Sequence, residues 1–115
     1  MYKKIEKPWG YEEILENNEN YVVKRLFMKK GHKCSLQYHE YKKETFMLLS
    51  GLLKFTHGFS EQTLQDTEFK VGDYFTVDPR YIHRMEALED SLYLECSSNQ
   101  LDDVIRLKDS YGRQL

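Results

Sequence analysis

The sequence predicts an all-β protein, a small barrel or sandwich of short strands. Three observations carry that expectation. Aromatic residues make up 14% of the chain, with nine Tyr and six Phe, and these broad side chains favour pleated surfaces. Turn-forming residues punctuate the chain at close intervals: Pro8 and Gly10, the Asn17–Asn20 cluster, Gly31, Gly51, Gly58, Gly72 and Pro79. Short strands between regularly spaced turns are the pattern of sandwiches and barrels. Finally, 115 residues with a mean hydropathy of −0.73 can build one modest core, so the chain reads as a single domain, residues 1–115.

Taken in order, the first strand-like run is Tyr21–Met28 (YVVKRLFM), followed by Cys34–His39 and Thr45–Leu49. Gly51 then separates two apolar runs and marks a tight turn. Leu52–His57, Tyr74–Val77, Ile82–Glu86 and Ser91–Cys96 complete the strands. Only Leu101–Asp109 reads as a short C-terminal helix, capped by Asn99 or Asp102, with Val104, Ile105 and Lys108 sharing a face.

Charge and cysteine content narrow the function. Seventeen basic against nineteen acidic residues leave a formal charge of −2, which argues against a nucleic-acid partner, whose binders are normally basic. The longest purely apolar run, Phe46–Leu49, has four residues, far short of the ~20 a membrane helix requires. The first thirty residues carry charges throughout and lack an apolar signal core, so a cytoplasmic location is expected. Cys34 and Cys96 are then expected as free thiols that behave as small buried apolar groups.

The chemistry concentrates between Gly31 and Gly51. Gln37 and His39 lie two residues apart and share one face of a strand. Glu44 has the parity of Phe46 and Leu48. It therefore faces inward with them, where a carboxylate is costly unless paired or bound to a metal. A second segment, residues 72–86, supplies His83. One amide oxygen, two imidazoles and a carboxylate make a four-ligand site for one divalent cation. Mixed N and O donors do not select strongly, so zinc is the first expectation, with Mn, Co, Ni and Fe as alternatives.

The spacing resembles the cupin signature G-x5-H-x-H-x(3,4)-E-x6-G, here Gly31, Gln37, His39, Glu44 and Gly51, with Gln in place of the first His. That replacement is similar to the cupin domain of type II mannose-6-phosphate isomerases, with a motif close to S-L-Q-x-H-x-H-R-x-E-x-W. The likeness extends to Lys7-Pro8-Trp9-Gly10-Tyr11, to Val23–Arg25 and to Ile82-His83-Arg84-Met85-Glu86. It resumes at Asp102-Asp103-Val104-Ile105-Arg106 and at Tyr111-Gly112-Arg113. Departures are Tyr41 for a His, Phe46 for the Trp, and Arg80 where a turn glycine is usual.

The resemblance implies a double-stranded β-helix (jelly-roll) barrel, with the metal in its mouth, that pairs into a homodimer. It implies a sugar or sugar-phosphate ligand and a metal-dependent aldose–ketose isomerase acting on mannose 6-phosphate. Lys24, Arg84, Arg106 and Arg113 are the candidates for holding the phosphate, although strand alternation turns Arg84 away from His83. Glu95 is the candidate base, inward or outward being open from sequence. Trp9 is expected to pack across the barrel mouth, and His32 and His57 are read as surface or turn residues. The alternatives are an enzyme on the same scaffold acting on another sugar phosphate, nucleotide sugar or small metabolite, or a sugar-binding cupin without turnover.

Overall fold

The computed structural model of the protein describes residues 3–113, with eleven strands and a single 3-10 turn, Glu61–Thr63, among them. The strands are β1 (Lys3–Lys7), β2 (Gly10–Asn17), β3 (Val22–Met28), β4 (Leu36–Tyr38), β5 (Glu44–Ser50), β6 (Leu53–Gly58), β7 (Gln65–Phe69), β8 (Tyr74–Val77), β9 (Ile82–Ala87), β10 (Ser91–Ser97) and β11 (Ile105–Lys108). They form two antiparallel sheets, in the orders β1-β2-β3-β10-β5-β8 and β11-β4-β9-β6-β7. The sheets face each other as a jelly roll.

Alternation in the sequence decides which side chains enter the core. Along β3, Val22, Lys24, Leu26 and Met28 are buried while the residues between them are half-exposed. Along β5, Glu44, Phe46 and Leu48 are buried between exposed neighbours. Phe46 meets Phe55 of the opposite sheet edge-on at 5.1 Å between ring centroids, a geometry aromatic quadrupoles favour. Trp9, Leu26, Met28, Leu53, Phe69, Val77, Met85 and Tyr93 complete the same cluster.

All seven strands expected from the sequence are present, within two residues at nearly every end. Four more were not legible. β1 (KKIEK) and β2 (GYEEILEN) are too charged to read as strands, and only pairing with each other and with β3 holds them. β7 is an edge strand with four exposed residues. β11 replaces the expected C-terminal helix. Residues Ile105–Lys108 extend to pair with β4, placing Arg106 opposite Gln37. Asp103, inside the expected helix, is engaged elsewhere: its carboxylate accepts backbone N–H groups of a distant loop. A sparse apolar face could not outweigh those contacts.

Two turns bear on the site. At Gly51 φ is +97°, and an added Cβ would lie 2.4 Å from the Asp90 carbonyl oxygen. Glycine is therefore required twice over. Arg80, where the resembling family carries glycine, takes the left-handed conformation at φ +70°. Its N–H donates to the His39 carbonyl at 2.6 Å, and its guanidinium pairs with Glu40. No helix among the described residues is long and apolar enough to cross a membrane.

Candidate metal centre

His39 stands just past the end of β4, Glu44 opens β5, and His83 lies near the start of β9. Because β9 runs antiparallel to β4, His83 is placed directly across from Gln37. All three ionisable side chains are at least 95% buried. The Nε2 atoms of His39 and His83 each lie 3.1 Å from one carboxylate oxygen, Oε1 of Glu44. Ligand-type atoms of the three residues fall within 4.8 Å of one another.

The second nitrogen of each ring decides what that convergence means. His39 Nδ1 donates to the Asp103 carbonyl at 2.5 Å, and His83 Nδ1 donates to the Tyr81 carbonyl at 3.0 Å. A carbonyl can only accept, so both Nδ1 atoms carry protons. A ring protonated only there turns a lone pair on Nε2 toward a carboxylate oxygen, which is also an acceptor, whereas a ring protonated on both nitrogens donates to it. Three acceptors facing one point demand positive charge at that point, as ring protons or as a cation. This donor set, with each imidazole oriented through its other nitrogen, fits a divalent metal. Gln37 lines the same cavity, its Oε1 accepting from the Ser35 hydroxyl at 2.5 Å.

Glu44's other oxygen has a separate partner. Lys42 Nζ lies 3.3 Å from Glu44 Oε2 and 3.4 Å from Glu95 Oε2. Burial alone would lower the lysine pKa, but the charges of Glu95 and Glu44 outweigh it and hold it above its ordinary value. Burial would likewise raise Glu44. Hydrogen bonds from His39 and His83 and the charge of Lys42 outweigh that and hold its carboxyl well below the usual range. Glu95 goes the opposite way: burial, then repulsion from Glu44, raises its carboxyl above normal. Two neighbouring carboxylates are thus pushed apart in acidity by their surroundings.

A cavity of about 130 Å³ opens over these groups, room for a small solute and not merely one water. Its wall includes Trp9, Leu101, Val104 and Tyr93 as well as the polar residues. Five cationic side chains (Lys7, Lys24, Lys42, Arg106, Arg113) and four anionic ones (Glu12, Glu44, Glu95, Asp103) line it. Lys24 pairs with Glu12 at 3.3 Å, and Arg113 with the buried Asp109 at 2.8 Å. The Nε of Arg106 is buried and has no hydrogen-bond partner among the described residues, an arrangement that favours an anionic ligand.

The structure sorts the other sequence candidates. Glu95 faces inward, opposite Phe46 on the neighbouring strand. Lys24, Arg106 and Arg113 reach the cavity, whereas Arg84 does not line it. Alternation on β9 points Arg84 the other way, and its guanidinium donates to the carbonyls of Cys34 and Lys108. Trp9 is buried at the cavity wall, as expected. His57 is not a surface residue. It is buried, with Nδ1 2.6 Å from the Tyr81 hydroxyl and Nε2 3.0 Å from the Thr67 hydroxyl, because its β6 position faces the core. His32 is half-buried against Tyr111. Cys96 is exposed on the outer face of β10, contrary to the expectation of burial. Cys34 bonds to the Met85 N–H through its sulfur.

Sequence reasoning missed Lys42 and Asp103. Lys42 had a readable signal, since it shares the parity of Glu44 and Phe46. Asp103 had only its place in the family-like stretch Asp102–Arg106, and its role was unreadable because its partners stand more than 60 residues away.

The chain matches the family model described as Mannose-6-phosphate isomerase C-terminal over residues 1–109. Mannose-1-phosphate guanylyltransferase RfbM of Salmonella typhimurium strain LT2 is 28% identical over 117 residues, covering 97% of this chain and 23% of the relative. The chain thus spans less than a quarter of that relative's length. Among solved structures, KdgF from Halomonas sp. aligns at a TM-score of 0.75 with 17% identity, covering 89% of this chain and 88% of that one. Oxalate decarboxylase of Bacillus subtilis, a protein with Mn(II) centres, aligns at 0.78 with 19% identity, covering 91% of this chain and 30% of its own. Both likenesses establish the double-stranded β-helix fold.

Proposed function

This chain belongs to the mannose-6-phosphate isomerase C-terminal family, a cupin family of sugar metabolism, and from that membership we propose a metal-dependent aldose–ketose isomerase acting on mannose 6-phosphate. The observation that carries the reading is the convergence of two imidazole nitrogens and Glu44 Oε1 in a cavity whose lining also includes Arg106, its buried Nε without a hydrogen-bond partner among the described residues. His39, Glu44 and His83, with Gln37 as fourth donor, are proposed to hold one divalent cation, zinc first and Mn(II) as the alternative suggested by the decarboxylase fold relative. Such a cation supplies polarisation of a sugar carbonyl and balance for negative charge developing on oxygen.

The remaining roles follow from position. Isomerisation removes the proton from C2 of the open-chain aldose and returns it to C1, while the C1 carbonyl becomes a hydroxyl and the C2 hydroxyl a carbonyl. Glu95, inward and held 3.4 Å from Lys42, is proposed to carry that proton. Its pKa, raised by burial and by the neighbouring Glu44, suits a group that must both take and give it. Arg106 and Arg113 are proposed to hold the phosphate at the far end of the sugar, since guanidinium forks match phosphate oxygens. Lys24 is tied to Glu12 and contributes field more than contact.

The test is conversion of mannose 6-phosphate to fructose 6-phosphate by zinc-loaded protein, abolished by EDTA and restored by zinc. Arg106→Gln should raise KM for the phosphorylated sugar and leave metal content unchanged. Metal-loaded protein without turnover refutes the isomerase. A thermal shift with another sugar phosphate would then favour the related-enzyme or binding-module reading. We also propose a homodimer, supported by Met47, Leu49 and Tyr74 standing exposed on the outer side of the six-stranded sheet. Light scattering that gives a monomer mass refutes it.

A further inference from the structure

Between His39 and Glu44 the chain makes a loop, residues 40–43, and the hydrogen bonds of that loop converge on one distant residue. The backbone N–H groups of Glu40, Tyr41 and Lys42 all donate to the Asp103 carboxylate, at 2.9, 2.7 and 2.9 Å. The carbonyl of the same residue accepts from His39 Nδ1 at 2.5 Å. Asp103 belongs to the segment 100–104 between β10 and β11, which also contributes Leu101 and Val104 to the cavity wall. Three successive amides gathered on one carboxylate form a strong, charge-assisted clamp.

That clamp acts at two levels. Through its carbonyl it sets the tautomer and tilt of the His39 ring, so that Nε2 faces Glu44. Through its carboxylate it sets the loop that spaces His39 from Glu44, and with it the Lys42 ammonium that occupies the second oxygen of Glu44. Neighbouring Asp102 is exposed and makes no side-chain bond of this kind among the described residues.

We propose that Asp103 is the positioning residue of the metal centre, coupling the docking of segment 100–104 against the loop at 40–42 to assembly of His39 and Glu44 into chelating geometry. The proposal rests on the reading that His39, Glu44 and His83 hold a cation. Thermodynamic reciprocity adds a second consequence. If the Asp103 bonds tighten cation binding, the cation must strengthen those bonds by the same factor.

The experiment titrates the full chain with cobalt(II) and zinc(II), following the cobalt absorption bands, in the wild type, Asp103→Ala, Asp103→Asn and the control Asp102→Ala. The wild type and Asp102→Ala should bind one equivalent alike. Asp103→Ala should bind about 10–100-fold more weakly, as expected when a group orienting a metal ligand is lost. Asp103→Asn, which keeps one acceptor oxygen, should fall between. Hydrogen exchange supplies the readout that a merely structural role would not move. Zinc should slow the amides of residues 40–42 in the wild type and leave them fast in Asp103→Ala. A cooperatively melting Asp103→Ala that binds cobalt within about threefold of wild type overturns the proposal, as does zinc leaving those amides unchanged in the wild type. Should Asp103→Ala fail to fold, Asp103→Asn and the wild-type exchange decide the matter. Wild-type protein that binds neither ion instead refutes the metal reading itself, and the coupling falls with it.

Discussion

Replacing Glu44 by Gln separates a cation site from an ordinary buried ion-pair network, because the two predict opposite behaviour with and without metal. The substitution conserves shape and exchanges one carboxylate oxygen for NH2. The retained oxygen can keep the 3.3 Å contact with Lys42, which also keeps Glu95 at 3.4 Å. The new NH2 sits where Oε1 stood, 3.1 Å from both Nε2 atoms. Where a ring carries its proton on Nδ1 alone, that NH2 can donate to a lone pair that previously faced an oxygen. Each such hydrogen bond contributes about 1 kcal/mol. The metal-free variant should therefore melt within a few degrees of the metal-free wild type, or slightly higher.

With zinc the outcome reverses. At a hundredfold excess over Kd a ligand specific for the native state adds about 2.7 kcal/mol. At about 4 °C per kcal/mol for a domain of this size, the wild type should gain roughly 10 °C. A hundredfold weaker Glu44→Gln site leaves only about 0.4 kcal/mol and under about 2 °C. Differential scanning calorimetry at pH 8, with and without zinc, reads both numbers. A zinc shift that survives the substitution refutes Glu44 as a ligand. A metal-free variant destabilised by several kcal/mol shows instead that the carboxylate is there to pair charges.

Two further outcomes are expected. Native protein should present one thiol to a maleimide or to Ellman's reagent and denatured protein two. Cys96 is exposed, whereas Cys34 is half-buried, with its thiol pushed up by burial and its sulfur held by the Met85 N–H; two thiols reacting equally fast in the native state would contradict the placement of Cys34. Asp109→Asn should lower Tm at pH 7 and lose that effect in acid. Hydrogen bonds from Arg113 hold the Asp109 carboxyl below its ordinary value. Its stabilisation is therefore complete above the unfolded value near 3.9 and disappears as pH falls through the lower folded value. Equal Tm differences at pH 7 and near pH 2 would remove the pair from the account.

What the sequence determined alone is what depends on neighbours along the chain. Alternation put Glu44 on the side of Phe46 and Leu48, and two-residue spacing put Gln37 with His39. The turn at Gly51 was readable because glycine punctuates strands for a local steric reason. The likeness of the motif from Gly31 to Gly51 to a known family is enough to imply the jelly roll.

Tertiary structure decided whatever depends on partners far away in the chain. β1, β2 and β11 exist because adjacent strands satisfy their backbone groups, not because their own patterns demand it. Glu95 could have faced either way until β10 took its register against β5. The place of Asp103 under the loop at 40–42 was invisible for the same reason. A carboxylate records its own chemistry in the sequence, but the amides it gathers become its neighbours only when the sheet closes.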